Sequence, residues 1–239
     1  MSAELTTGVA PAKKGEKKLR HPWDWYVEEE WVTERILDFA PIDREVTVLD
    51  PCCGQGNMVR ALRGRRMEAF GTDLFDRGAP HFLGTHDFIG GQRSLLEAAG
   101  PLSIFFNPPF SYQDGAQVEA LAERFVRRAL EIATHQVAAL LPLKWLSSQG
   151  RYALFSQHCP AGVWVMCERP SMPPGDVIAE LGEDAYRRGK VDYMWVLWDK
   201  RRLPLLDEAG QPFAPTYWIP PREKAASHQD LLTPLEMAA

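Results

Sequence analysis

No hydrophobic run in this 239-residue chain approaches the roughly 18 residues a membrane-spanning helix needs, and "VAALLPL" near residue 140 is strand-sized. The N-terminus carries lysines without an apolar core segment, so no secretory signal is expected. The four cysteines lack C-x-x-C spacing, which argues against a zinc site or a disulfide framework. Adjacent Cys52 and Cys53 read as small fillers of a tight turn, and a reducing cytoplasm suits them. The six histidines show no ligand spacing; no metal is expected, and His81 and His86 read as surface or loop residues. There is no excess of basic charge either: the formal net charge is −5, unlike most dedicated DNA-binding proteins. Also missing is G-x-G-x-x-G, so a dinucleotide pyrophosphate fits less well than a smaller nucleoside ligand. No internal repeat is visible.

What is present is ordinary globular material, 45% hydrophobic and 25% charged, enough for one domain with a real core. Residues 1–20 are small, polar and Lys-rich and are expected to be disordered. Residues 21–202 form the expected domain, and 203–239 a Pro-rich extended tail. Within the domain an amphipathic helix before Pro41 precedes strands at "EVTVLD", "MEAFGTDL", "FLGTHDFIG", "LSIFF" and "QVAALLPL". Helices are expected at "MVRALRGR", "RSLLEAA", "AQVEALAERFVRRALEIA" and "RYALFSQH". Strands "VWVMCERP" and "VDYMWVLWDK" flank a Pro/Gly-rich loop at residues 170–176. Alternating strands and helices predict an α/β fold with a mostly parallel sheet, and the last pair an antiparallel edge. Trp195 and Trp198 should face opposite sides of their strand, one toward the core and one toward the surface. The basic residues clump at Lys13, Lys14, Lys17, Lys18 and Arg20, at Arg60, Arg63, Arg65 and Arg66, and at Arg187, Arg188 and Lys190. These clusters permit a positive strip on an acidic body.

Three short segments fall at expected strand ends, where open α/β sheets bind ligands. In "VLDPCCGQGN", Asp50 ends a strand and Gly54 and Gly56 let the backbone turn and approach a ligand. In "GTDLF", Asp73 ends the next strand, where an acid commonly accepts from ribose hydroxyls. In "HDF", Asp87 could accept from an exocyclic amine and Phe88 could flank a purine. A fourth segment, "IFFNPPFSYQDGA", puts Asn107, Pro108, Pro109 and Phe110 straight after a buried strand. Proline cannot donate to a ladder and restricts its predecessor, so the strand must stop at Asn107 in a stiff turn. An amide and a carbonyl acceptor held beside an aromatic ring suit a planar amine; the plainer reading of "NPP" alone is a strand-ending loop.

In this order and spacing the motifs make the chain resemble class I S-adenosylmethionine-dependent methyltransferases, from about residue 23 to 200. Within them it resembles the amino-methyltransferases with [DNS]-P-P-[YFW], especially N6-adenine DNA methyltransferases of gamma-type motif order. "VLDPCCGQGN" is similar to D-P-x-x-G-x-G, followed by "GTDL", "DF" and "NPPF"; "LLPLKWLSS", "ERPSM" and "YMWVLWDK" are similar to small phage or prophage members. "HPWDWYVEEEWVTERIL" resembles the segment before the first motif, although Glu29 stands where Y-x-x-P has its proline. The resemblance implies S-adenosyl-L-methionine as cofactor, bound by Tyr26, Asp50, Cys52, Gly54, Gly56, Asp73, Leu74, Asp87, Phe88 and Asn107. It implies a catalytic Asn107, Pro108, Pro109 and Phe110, with the target amine held by Asn107 and the Pro108 carbonyl and a flipped base stacked on Phe110. Lys144 and Trp145, after the fifth strand, are candidates for the substrate cleft. DNA is the implied partner. RNA adenine, a protein glutamine amide and a non-catalytic methyltransferase-like binding subunit are the alternatives, and oligomeric state leaves no trace.

Overall fold

The computed structural model describes residues 20–91, 100–187 and 189–223. The expected disordered tail before Arg20, the "RSLLEAA" helix, lysines 13, 14, 17 and 18, Arg188 and the chain beyond 223 lie outside the described residues.

Helix α1 (Glu30–Phe39) buries Val32, Thr33, Ile36 and Leu37 along one face and stops before Pro41. Strand β1 (Thr47–Asp50), helix α2 (Asn57–Gly64) and strand β2 (Ala69–Asp73) form the first strand–helix–strand crossover unit, with β1 and β2 parallel. They are followed by β3 (Phe82–Thr85), β4 (Leu102–Phe106) and a hairpin of β5 (Tyr112–Gln113) and β6 (Ala116–Gln117). Then come α3 (Leu121–Ile132), β7 (Gln136–Pro142), a 3-10 turn (Leu143–Leu146), α4 (Gln149–Gln157) and β8 (Gly162–Met166). Helix α5 (Gly175–Leu181), β9 (Tyr193–Asp199), the two-stranded β10 (Leu205–Leu206) with β11 (Pro212–Phe213), and β12 (Thr216–Ile219) complete the described chain.

The main sheet has eight strands in the order β12-β8-β9-β7-β4-β1-β2-β3. Every neighbouring pair is parallel except those made by β9, which runs antiparallel to β7 and β8. β1 lies between β2 and β4, so the chain winds one way through β2 and β3 and then returns to the other side of β1. That reversal is the switch point at which open α/β sheets form a ligand crevice, beyond the carboxyl ends of their strands.

Both faces of the sheet are covered. Leu49, Ile104, Phe106, Val137, Ala139 and Trp198 pack under α3 with Phe125, Val126 and Ala129. Val48, Phe105, Ala138, Leu140 and Trp195 pack on the opposite face under α1 and α2. A strand buried on both sides is hydrophobic throughout, which accounts for the unbroken runs in β4 and β7.

Four expectations change. Trp195 and Trp198 do face opposite sides, but both are buried, because helices leave no solvent face for the second ring. The helix expected over residues 116–133 begins only at Leu121, since Asp114 and Gly115, both with φ near the left-handed region (51° and 71°), close the β5–β6 hairpin first. The loop at 170–176 runs into α5, which was not expected. Residues 203–219 are no separate tail: β12 pairs in parallel with β8 from Thr216↔Val163 to Ile219↔Met166, making the last strand of the sheet.

Candidate active site

The turn after β1 is shaped by two glycines. Gly54 (φ +53°) and Gly56 (φ +80°) occupy the left-handed region that side chains with a Cβ avoid, and Gly56 leads directly into α2. A Cβ on Gly56 would also meet Ala79 and Pro80 at 3.1 Å. Asp50, at the end of β1, is buried and its Oδ1 accepts from the Cys52 backbone N–H at 3.1 Å. Asp73, at the end of β2, joins the two strand ends: Oδ2 accepts from the Gly54 N–H at 2.9 Å and Oδ1 from the Phe75 N–H at 3.1 Å.

The turn after β4 is held from outside by a segment that precedes α1. The Asn107 side-chain Nδ2 donates to Glu28 Oε2 at 2.8 Å and to the Tyr26 carbonyl at 3.3 Å. The Cys52 thiol donates to the Asn107 carbonyl at 3.3 Å, linking the glycine turn to this one. Asp24, itself in a left-handed conformation (φ 49°), accepts at Oδ2 from three consecutive backbone N–H groups, those of Phe110 (3.0 Å), Ser111 (2.8 Å) and Tyr112 (3.0 Å). Three amides converging on one buried carboxylate are charge-assisted and fix where the Phe110 ring stands. Arg20 closes the cluster by pairing with both Asp24 oxygens, its guanidinium lying over the Tyr112 ring. Neither Asp24 nor Glu28 follows from the sequence motifs; the signal was the run "HPWDWYVEEE", whose acids stand four apart on an irregular segment.

Burial shapes the charge of this centre. It pushes Glu28 up from the ordinary carboxylate range despite the Asn107 hydrogen bond, and it pushes Asp50 well up, helped by the nearby Glu28 charge. Burial likewise holds the Cys52 thiol well above its usual value, so Cys52 stays protonated and acts as a hydrogen-bond donor, not a nucleophile. Among the described residues no cluster of His, Cys, Asp or Glu side chains has the makings of a metal site.

Two clefts meet at the Asn107–Phe110 turn. The first is narrow and is lined by Tyr26, Cys52, Asp73, Leu74, Asp87, Phe88, Asn107 and Pro109 among the expected residues. Asp50, Gly54 and Gly56 stand behind its surface, because the Trp25 indole covers the glycine turn: a Cβ on Gly54 would lie 2.9 Å from Trp25 Nε1. The Phe88 ring serves the core first, packed 5.6 Å from Phe125. Asp87 caps its own turn, with Oδ1 accepting from the Ile89 and Gly90 N–H groups at 3.0 Å. His86, expected as a plain loop residue, is half-buried in this lining.

Three lining residues of the narrow cleft carry a buried nitrogen with no hydrogen-bond partner among the described residues: Trp25 Nε1, Arg77 Nε and His86 Nε2. Such atoms are costly unless a ligand or water satisfies them. The Arg77 guanidinium lies 4.1 Å over Trp25 and 3.8 Å from Asp73. Unpaired donors, a left-handed glycine turn and the buried Asp50 and Glu28 fit a nucleoside that carries a cation, an amine and a carboxylate, as S-adenosylmethionine does.

The second cleft, about 850 Å³, opens on the other side of the turn. Phe110, Tyr26 and Tyr193 form its aromatic wall, with Phe110 and Tyr193 centroids 6.4 Å apart. Lys144 and Trp145 both line it; Lys144 is exposed, whereas Trp145 is buried with Arg151 stacked 4.0 Å over its ring. Among the described residues its charged lining is Arg20, Lys144, Arg151, Arg187 and Lys190; Arg20 is paired with Asp24 and Arg151 with Glu123, so the positive character of the lining rests on Lys144, Arg187 and Lys190. Of the basic clusters in the sequence, 60–66 does not contribute: Arg60 pairs with Glu30 and Arg65 with Asp38, away from both clefts.

No family model and no curated protein matches the chain. Solved structures do. The modification subunit assigned to a type I restriction enzyme of Vibrio vulnificus superposes with a TM-score of 0.52 at 12% identity, over 84% of this chain and 48% of that one. A type I restriction-modification methyltransferase subunit from Streptococcus thermophilus gives 0.51 at 13%, over 77% and 48%. A Listeria monocytogenes protein assigned as a class I S-adenosylmethionine-dependent methyltransferase gives 0.50 at 11%, over 78% and 63%. The chain thus spans between about half and just under two thirds of these structures. Its mixed eight-stranded sheet, wound on both sides of β1 and with one antiparallel strand, is the Rossmann-like fold of the class I S-adenosylmethionine-dependent methyltransferases.

Proposed function

We propose that this protein is an S-adenosylmethionine-dependent methyltransferase whose target is the exocyclic N6 amine of adenine in DNA. One observation carries the reading: Asn107 lines the narrow cleft three residues before Phe110, which lines the wide one, with its amide N–H groups already engaged and its Oδ1 without a protein donor among the described residues. In this reading Asn107 Oδ1 and the Pro108 carbonyl accept the two N–H bonds of the target amine. That draws the nitrogen lone pair out of conjugation with the ring and turns it toward the narrow cleft.

Phe110 carries the base on its face, a contact worth roughly 1–3 kcal/mol. An adenine in a duplex cannot present its amine in this way, so it would enter flipped out of the stack. S-adenosylmethionine supplies an electrophilic methyl group. Asp73 and Asp87 would hold its ribose and adenine, and the carboxylates of Asp50 and Glu28 suit its positive charge. The chain contributes alignment above all, which can account for about 7–11 kcal/mol of a barrier. The amine becomes cationic as it is methylated and can give its proton to water, consistent with a turn that lacks His, Lys or Cys between Asn107 and Phe110.

The Lys144, Arg187 and Lys190 side chains along the wide cleft support a polyanionic substrate over a protein glutamine. The restriction-modification subunits with the same fold support DNA as the polyanion. The test offers labelled S-adenosylmethionine with duplex DNA, RNA and a protein extract in parallel. Label on N6 of adenine in DNA is the expected result. Label on RNA or protein alone would move the reading to that substrate, and label on none of them would overturn it.

A further inference from the structure

We infer that Glu28 is a positioning residue that decides which end of the Asn107 amide faces the substrate, an inference that rests on the methyl-transfer reading above. A carboxamide is almost symmetric in shape, so packing alone does not tell its oxygen from its nitrogen. The difference matters here, because a target amine brings two N–H donors, and only the oxygen end can accept one. With the amide flipped, donors would face donors.

Two acceptors choose the orientation. Glu28 Oε2 takes an Nδ2 hydrogen at 2.8 Å and the Tyr26 carbonyl takes Nδ2 at 3.3 Å, so both lie on the nitrogen end. The bond to the carboxyl oxygen is the shorter of the two and the better placed to decide. Glu28 is in turn pinned to the start of α2, where its carbonyl accepts from Asn57 Nδ2 at 2.8 Å and Asn57 Oδ1 accepts from Arg60 at 2.5 Å. The neighbouring acids do other work: Glu29 accepts from the Ser171 N–H and Glu30 pairs with Arg60. Of the three glutamates in "VEEEW", only Glu28 reaches the Asn107 side chain.

Its placement makes a specific demand on exchange of partners. Asn107→Asp alone sets two carboxyl groups against each other across a hydrogen-bond distance, which forces them to share a proton or move apart. Glu28→Gln with Asn107→Asp restores one donor and one acceptor, now with the donor on residue 28, and leaves a carboxylate oxygen for the target amine. A residue needed only for packing would give no such recovery.

The experiment measures single-turnover methyl transfer to an adenine-containing duplex, with cofactor affinity by calorimetry alongside. Glu28→Leu, which keeps the bulk and removes the acceptor, should slow transfer at saturating cofactor about 100-fold, the cost of misplacing a reacting group by an ångström, a loss larger than any it causes in cofactor affinity. Glu28→Gln can still accept through its Oε1 and should stay within about tenfold of wild type. Asn107→Asp should be slow, and the double variant Glu28→Gln/Asn107→Asp should exceed it about tenfold or more. Wild-type turnover in Glu28→Leu, or a double variant no faster than Asn107→Asp, overturns the inference.

A second readout needs no substrate. The Asn107 side-chain amide protons, assigned by their loss in Asn107→Ala, should exchange slowly with solvent in the wild type and rapidly in Glu28→Leu. Unchanged exchange in Glu28→Leu overturns the inference even if the wild type methylates nothing, while absence of transfer by the wild type counts against the functional reading alone.

Discussion

The two clefts share the Asn107–Phe110 turn and Tyr26 and differ in almost everything else. The narrow one is backed by the buried carboxylates of Glu28 and Asp50 and fronted by Asp73, with Arg77 as its close cation. The described lining of the wide one is basic at Lys144, Arg187 and Lys190, its Arg20 and Arg151 being paired with Asp24 and Glu123. On the proposed function, the turn therefore separates a pocket for a cationic small molecule from a groove for a polyanion. Such sorting by charge would keep the two ligands from competing, and it assigns different residues to different measurements.

The largest expected effect lies on the shared turn. Asn107→Ala removes the oxygen offered to the target amine and leaves the strand, both prolines and Phe110 in place. Transfer should fall by about 10²–10³, the range seen when one preorganised transition-state contact is lost. Cofactor affinity should stay near wild type. Wild-type turnover in that variant would return "NPPF" to an ordinary strand-ending loop.

Next comes the narrow cleft. Asp73→Ala loses a charged acceptor and should weaken cofactor binding by roughly 1.5–3 kcal/mol in calorimetry while leaving DNA affinity alone. The wide cleft should answer in the opposite sense. Lys144→Ala and Lys190→Ala should each lower the slope of log affinity for DNA against log salt by about 0.9 and leave cofactor binding unmoved. If either lysine variant changed cofactor affinity as much as DNA affinity, the division by charge would fail.

The smallest effect tests the buried acids. Asp50 has its pKa raised in the folded protein, so its charged form costs stability above the ordinary carboxylate range, and that cost is relieved as pH falls through the raised value. Asn at this position still accepts from the Cys52 N–H and carries no charge. Without cofactor, Asp50→Asn should melt higher than wild type at pH 8, with about 2–4 °C expected per kcal/mol for a chain of this size, and the gap should close as the pH is lowered. A gap that widened on acidification would reverse the sign of the argument.

The strands of this fold were legible because burial on both faces writes continuous apolar runs, as in "LSIFF" and "QVAALLP", and because Gly54 and Gly56 mark a turn that needs left-handed backbone. The hairpin at Asp114–Gly115 was equally legible, since Asp-Gly is the usual signature of such a turn, but the helical period of the following residues masked it. The contents of the site divide in the same way. Residues that end strands could be placed by local pattern, whereas Asp24 and Glu28 act across some 80 residues of sequence, reaching Phe110–Tyr112 and Asn107. Hydrogen bonds over such separations leave no periodic trace. The second tryptophan of β9 failed for a related reason: period assigns a face, and only tertiary packing says whether that face is wet.

β12 has a consequence for the order of assembly. Its partner β8 ends at Met166, yet the strand that covers it begins at Thr216, so the outer border of the sheet stays bare until some fifty further residues have been made and folded. Pairing over that distance is slow to nucleate, and a strand with a neighbour on one side only is the part of a sheet that opens first. Closure stacks Tyr217 on Trp164 at 4.9 Å, with the indole N–H of Trp164 donating to the Phe39 carbonyl at the end of α1. Trp164, on β8, thus joins the first helix to the last strand, and its fluorescence during refolding should report the moment when the beginning and the end of the described chain come into register.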